Sequence, residues 1–225
     1  MIPWELLDSA PVPGGENTMS LYRRGEEFSI RVDGYELMNS RAHASEEALA
    51  EFTCARLANH PAPTVLIGGL GLGFTTAAAL RQLGPQATVV VAELVPSVVA
   101  WNRGILASLA GHPLEDPRVS VREVDVARIL QKEQQAYNAI VLDVDNGPEG
   151  LTHSGNNWLY TRGGLSAAHA ALKPSGILAI WSASPAPAFS LLLQQTGYRV
   201  EETTVRAKGR HGGSRHRIWL AERGD

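Results

Sequence analysis

Two periods of apolar positions run through this chain, and the changes between them mark its elements. Val65-Leu66-Ile67 is an uninterrupted apolar run, as expected of a strand buried on both faces. Further strands are predicted at Thr88 to Ala92, Val119 to Glu123, Ala139 to Asp143 and Ile177 to Trp181. Helical spacing separates them: from about Phe74, from Pro96 to Ala110, over 126–135, from Leu159 to Leu172, and from Ala186 to Gln195. Upstream, Ser45 reads as the cap of a helix carrying Leu49, Phe52, Cys54 and Leu57, which Pro61 and Pro63 end. Residues 1–20, punctuated by Pro3, Pro11, Pro13, Gly14 and Gly15, read as an irregular lead. Leu21-Tyr22 and Phe28 to Asp33 read as two short strands of a small β element. At the other end, Tyr198 to Val205 and Arg215 to Ala221 alternate polar and apolar residues, which predicts a closing antiparallel pair. The pattern therefore predicts an α/β protein with a doubly wound sheet, divided into a lead and small β element over 1–44 and a Rossmann-like nucleoside-binding catalytic domain over 45–225.

The ends of the predicted strands carry the candidate chemistry. Gly69, Gly71 and Gly73 alternate between the first strand and its helix, a G-x-G-x-G loop over which a ligand can lie against bare backbone. The dinucleotide fingerprint G-x-G-x-x-G is not met, because Phe74 follows. Glu93 ends the second strand about 20 residues beyond the loop, where nucleoside-binding folds keep an acid for the ribose hydroxyls. Asp125 with Val126 follows the third strand and Asp143 ends the fourth, so the carboxyl edge presents Gly, Glu, Asp and Asp to a single crevice. Asn146-Gly147-Pro148 and His153 to Trp158 form a long polar connection that reads as a lid, a substrate-reading loop or a plain connector.

Composition narrows the possible partners. With a formal net charge of −3 the chain offers no electrostatic reason to expect nucleic acid or an anionic membrane as principal partner. The glycine-rich basic stretch from Lys208 to Arg217 reads as a mobile hairpin loop, with an anion contact as the alternative. Cys54 is the sole cysteine, which excludes an intrachain disulfide and a thiolate metal cluster, and the seven histidines lack ligand spacing, so no metal site is expected. Neither a secretion signal nor a membrane-length apolar run is visible, and a soluble cytoplasmic protein is the expectation.

The order of elements resembles the class I S-adenosylmethionine methyltransferase fold. Within it, Asp33-Gly34 with Arg41, Val65 to Gly69, Tyr137 to Asp143, and Leu159-Tyr160-Thr161-Arg162 running into Leu172 to Leu178 resemble the spermidine synthase family. The resemblance implies that Gly69, Gly71 and Gly73 take the methionine-like arm of a sulfonium nucleoside, Glu93 its ribose, Asp125 with Val126 its adenine, and that Asp143 stands at the reacting centre. It also implies a homodimer. Several of the family's acids have no counterpart: the loop Asp falls on Gly71, and the Asp-x-x-Asp of the active site reads Asp143-Val144-Asp145-Asn146. The family's Gln, Asp-Glu and Tyr-His fall on Leu37, Ala42-His43 and Glu46-Glu47, and the Gln ending the fifth strand is Trp181.

A doubly charged diamine in a partly desolvated pocket needs a fixed acid at each nitrogen, and each lost charge-assisted bond costs about 1.5–3 kcal/mol. The first expectation is therefore an enzyme that transfers an alkyl group, most simply methyl, from S-adenosylmethionine to a small nucleophile such as an amine. Asp143 is the first candidate to take or orient the proton, Asp145 the second, with His43 and Glu46 as helpers. The alternative is an aminopropyltransferase using decarboxylated S-adenosylmethionine and a diamine held by Asp143, Asp145 and Glu149. A third reading is a non-catalytic nucleoside-binding or dimerisation protein.

Overall fold

The structure, a computed structural model, describes residues 2–144 and 156–224. It opens with an antiparallel meander of β1 (Glu5–Pro11), β2 (Thr18–Arg24), β3 (Glu27–Val32) and β4 (Tyr35–Asn39), hydrogen-bonded in that order. After α1 (Ala44–Ala55) the chain alternates: β5 (Thr64–Gly68), α2 (Phe74–Gln82), β6 (Thr88–Glu93), α3 (Pro96–Arg103), β7 (Val119–Glu123), α4 (Val126–Lys132) and β8 (Tyr137–Leu142). Then come α5 (Arg162–Ala171), β9 (Leu172–Ser182), α6 (Pro187–Gln195), β10 (Tyr198–Arg206) and β11 (Arg215–Arg223). The main sheet runs β10-β11-β9-β8-β5-β6-β7. Its β7, β6, β5, β8 and β9 pair in parallel, and β11 lies antiparallel between β9 and β10.

Why the central strands lack polar alternation is visible in how they bury. Val65, Ile67, Val89, Val91, Ala139 and Val141 face a core shared with Leu49 of α1, Ala78 of α2 and Val98 of α3. The alternate residues Leu66, Val90, Ala92, Ile140 and Leu142 face a second core with Ile129 of α4, Leu165 of α5 and Leu193 of α6. Both faces are covered by helices, so both sets of side chains are apolar. Parallel strands in this arrangement bring the ends of β5, β6, β7 and β8 to one edge, where ligands of open α/β sheets bind.

Four local expectations change. The lead contains β1 and most of β2; β1 is an edge strand pairing only with β2, a place where Pro11 costs no ladder bond. The predicted helix from Pro96 stops at Arg103: Gly104 leaves helical geometry at φ −116°, ψ −110°, and the Trp101 carbonyl accepts from both Gly104 and Leu106. Ser45 lies inside α1, not at its cap, and its hydroxyl pairs with His216 Nδ1 at 2.8 Å; the cap position is His43. β9 starts at Leu172, its pairing with β8 slipping between Tyr137 and Ala139 to absorb the Lys173-Pro174-Ser175-Gly176 turn expected to precede it. No helix among the described residues is long and apolar enough to cross a membrane.

Candidate functional site

A cleft opens at the carboxyl edge of the main sheet, and most of the residues predicted from the sequence meet in it. Gly69, Gly71, Glu93, Asp125, Val126 and Asp143 all line it. The small sheet covers it with Met19, Ile30, Leu37 and Met38, joined by Val12 of the β1–β2 connection. Gly73 does not line the cleft: it precedes α2 and packs toward Asn102, Pro113 and Ala110. Asp145 and Glu149, with the rest of the polar connection up to 155, lie outside the described residues.

Gly69, Gly71 and Gly73 all take the positive φ that favours glycine, and two of them bear on the cleft. Gly69 has φ +90°, and a Cβ there would run into the backbone carbonyl oxygen of Asp143, so the ends of β5 and β8 could not lie this close. Gly71 has φ +52°, and a Cβ would sit 2.7 Å from Met38 Sδ. The free space in the cleft is ≈ 90 Å³, small beside the roughly 300–1,000 Å³ of ligand pockets, because Met38 fills the place above the loop. A thioether chain is unbranched and flexible, so an entering ligand can turn it aside at low cost.

Three acids take distinct positions around this loop. Glu93 is 7% exposed, and its two carboxylate oxygens accept from Leu70 N at 2.9 Å and Val95 N at 2.8 Å. Burial pushes its carboxyl above the usual range, and the backbone N–H donors, Val95 first, pull it back. The arrangement fixes the loop and leaves the remaining lone pairs of Glu93 toward the cleft. Asp125 caps α4, accepting from Ala127 N at 2.8 Å through Oδ1, which leaves its second oxygen available. Asp143 accepts a short hydrogen bond from the Thr75 hydroxyl through Oδ2. Burial pushes its carboxyl up to about 6, against the opposing hydrogen bond.

Four residues that sequence reasoning passed over or ranked low complete the site. Asn102, 2% exposed on α3, donates Nδ2 to Gly71 O at 2.8 Å and to Val98 O at 2.9 Å, which holds the loop from behind. A lone amide among Val98, Val99 and Trp101 was the available signal. Thr75 positions Asp143, and nothing in its helix pattern singled it out. Glu46, in the first turn of α1, shares a recess with Asp143, Gly71, Leu70, Leu37, Met38 and Trp181. Trp181 brings a buried indole Nε1 that has no hydrogen-bond partner among the described residues. His43 stacks on Phe74 with ring centroids 4.0 Å apart and points Nδ1 at Glu47, away from the recess acids. Every charged side chain among the described residues lining the cleft and recess is an acid. No group of three or more His, Cys, Asp or Glu among the described residues could hold a metal ion.

Comparison with known proteins gives the family and the fold. Residues 43–193 match the family model described as the spermine/spermidine synthase domain. The fold superposes on the crystal structure of spermidine synthase from Thermotoga maritima with a TM-score of 0.75 at 17% identity, covering 97% of this chain and 73% of that one. A spermidine synthase in complex with the transition-state analogue AdoDATO matches at TM-score 0.74 and 17% identity, covering 97% and 72%. A sarcosine dimethylglycine methyltransferase, titled as putative, from Galdieria sulphuraria matches less closely, with TM-score 0.58, 14% identity and coverage of 81% and 86%. No curated protein sequence matches the chain.

Proposed function

Since the chain belongs to the spermine/spermidine synthase family, and is on that ground a transferase, we propose that it moves an aminopropyl group from a decarboxylated sulfonium nucleoside to a small amine. The observation that carries this reading is the sign of the cleft: Glu46, Glu93, Asp125 and Asp143 are its charged groups among the described residues, with no base to face a carboxylate. S-adenosylmethionine brings a sulfonium, an ammonium and a carboxylate. Its decarboxylated form brings the two cations alone, and a pocket walled by acids favours that charge. Glu93 would take the ribose hydroxyls, Asp125 and Val126 the adenine, and the bare backbone at Gly69 and Gly71 the arm. Near the reacting carbon, Asp143 is positioned to hold an ammonium. The loop acid that the family carries at Gly71 is missing, and Asp143, which lines the same recess as Gly71, supplies negative charge beside it.

Methyl transfer from full S-adenosylmethionine is the second reading, and one observation favours it: without an acid at Gly71 nothing on the loop itself repels the donor's carboxylate. Titration calorimetry with both nucleosides separates the two. Decarboxylated S-adenosylmethionine is expected to bind more tightly by about tenfold or more, roughly 1.4 kcal/mol, and equal or tighter binding of the full donor would replace aminopropyl with methyl transfer. Binding of neither would remove the sulfonium-donor reading altogether.

A further inference from the structure

The first turn of α1 carries two acids that face different surroundings. Glu47 points to the surface, meeting Arg81 Nη2 at 2.8 Å and His43 Nδ1 at 3.2 Å. Glu46 lines the recess with Asp143 and Trp181, and that recess shares Leu37, Met38, Gly71 and Asp143 with the cleft beside it. Glu46 and Asp143 are both half-buried. Thr75 ties the two residues, its hydroxyl donating to Asp143 and lying 3.5 Å from the Glu46 backbone carbonyl. Asp143 is held in this way, whereas the Glu46 carboxylate has no hydrogen bond among the described residues. An enclosed carboxylate with an acid for a neighbour and no counter-charge is costly until a cation arrives.

We propose that Glu46 is a catalytic residue of the transfer: it receives the alkylammonium head of the acceptor amine and takes its proton. The inference rests on the sulfonium-donor reading above. A primary alkylamine has a pKa of roughly 10, like lysine, and arrives protonated and unable to attack. Its N–H proton passes to a Glu46 oxygen, and the freed lone pair forms the new C–N bond to the carbon attached to sulfur. The C–S bond breaks with its electron pair going to sulfur, which leaves as a neutral thioether. The product departs as a secondary ammonium, and Glu46 returns its proton to water. Leu37, Met38 and Leu70 give the acceptor's carbon chain an apolar wall.

Burial, with the charges of Asp143 and Glu47, holds the free Glu46 carboxyl well above the usual carboxylate range. Other titratable groups nearby are His43 at the start of α1, Arg81 of α2 through Glu47, and His216 of β11, which bonds Ser45 and packs edge-on against Trp181. Arrival of the dicationic donor reverses the field and favours the ionised, proton-accepting form.

The test uses the whole protein with decarboxylated S-adenosylmethionine and two acceptor probes, n-butylamine and putrescine. Glu46→Gln, one wall charge short, is expected to bind the donor within about tenfold of wild type by calorimetry yet, at saturating donor, to transfer its group at least about a hundredfold more slowly. The acid limb of the pH–rate profile should also move or vanish. Glu46→Asp, which keeps the carboxylate one methylene further back, should retain intermediate activity, and Glu47→Gln, at the surface, should stay near wild type. Transfer by Glu46→Gln within about fivefold of wild type, or an unchanged acid limb, overturns the assignment. So does a wild-type protein that binds donor but neither binds nor alkylates either amine. Failure of the donor to bind wild type removes the donor reading instead, which calorimetry registers before any amine is added. Should Glu46→Gln not fold, a Glu46→Asp protein with wild-type rate and pH profile overturns the proposal equally.

Discussion

Glu93 shows how one carboxylate can build a loop and receive a ligand. Its oxygens accept from Leu70 N and Val95 N, on either side of the cleft floor. A glutamine there has one acceptor oxygen, so its amide NH₂ must face one of two backbone N–H donors. Glu93→Gln is therefore expected to cost about 1–3 kcal/mol of stability in a denaturant titration and to weaken nucleoside binding about tenfold or more. Unchanged stability and affinity together would show that Glu93 does neither job. The acids at 93, 125 and 143 could be read from the sequence because each stands where an apolar strand or its following turn ends, and a charge there asks for a reason. Glu46 was harder to rank, since an acid in the first turn of a helix is already explained by the helix dipole. Its meeting with Asp143 joins residues nearly a hundred positions apart, which no local period encodes.

At the scale of elements, α4 depends on Asp125 in two separable ways. Oδ1 caps the helix through Ala127 N, while the residue also lines the cleft. Asparagine caps as well as aspartate and alanine does not. Asp125→Asn should leave the melting temperature almost unchanged and Asp125→Ala should lose about 1 kcal/mol, while both weaken nucleoside binding in calorimetry. Equal binding by all three would confine Asp125 to its capping role. The same double coding explains which elements were readable in advance. β5, β6 and β8 bury both faces, so their runs are long, apolar and β-branched. β1 is an edge strand with mostly exposed residues, and nothing in its sequence is forced to alternate. α3 ends early because of the backbone geometry at Gly104, although apolar residues continue at helical spacing through Ile105, Leu106 and Leu109.

Across the whole molecule, function is set against stability through the buried acids. Glu46, Glu93 and Asp143 all have carboxyl groups raised above their ordinary values, chiefly by burial, and for Asp143 the value is about 6. At these three positions the folded state binds more protons than the unfolded chain from about pH 4 up to 6 and beyond, and linkage makes each such group cost stability as pH rises through that window. Other groups act oppositely. His169 and His216 are held below the usual histidine value by burial, and they favour the folded state as pH rises. Glu27, Asp116 and Glu133, lowered by their arginine or tyrosine partners, lose their contribution only at more acid pH. A raw stability curve mixes these terms, so the informative quantity is the difference between Glu46→Gln and wild type. Glutamine cannot ionise, whereas wild-type Glu46 must either hold a proton or place a second charge beside Asp143. The melting temperature of Glu46→Gln minus that of wild type should therefore increase from pH 5 to pH 8, and saturating decarboxylated donor should shrink the increase by neutralising the pair. A difference that stays flat with pH would mean that the two carboxyls do not feel each other, and would leave the acid recess without the strain that a cationic substrate relieves.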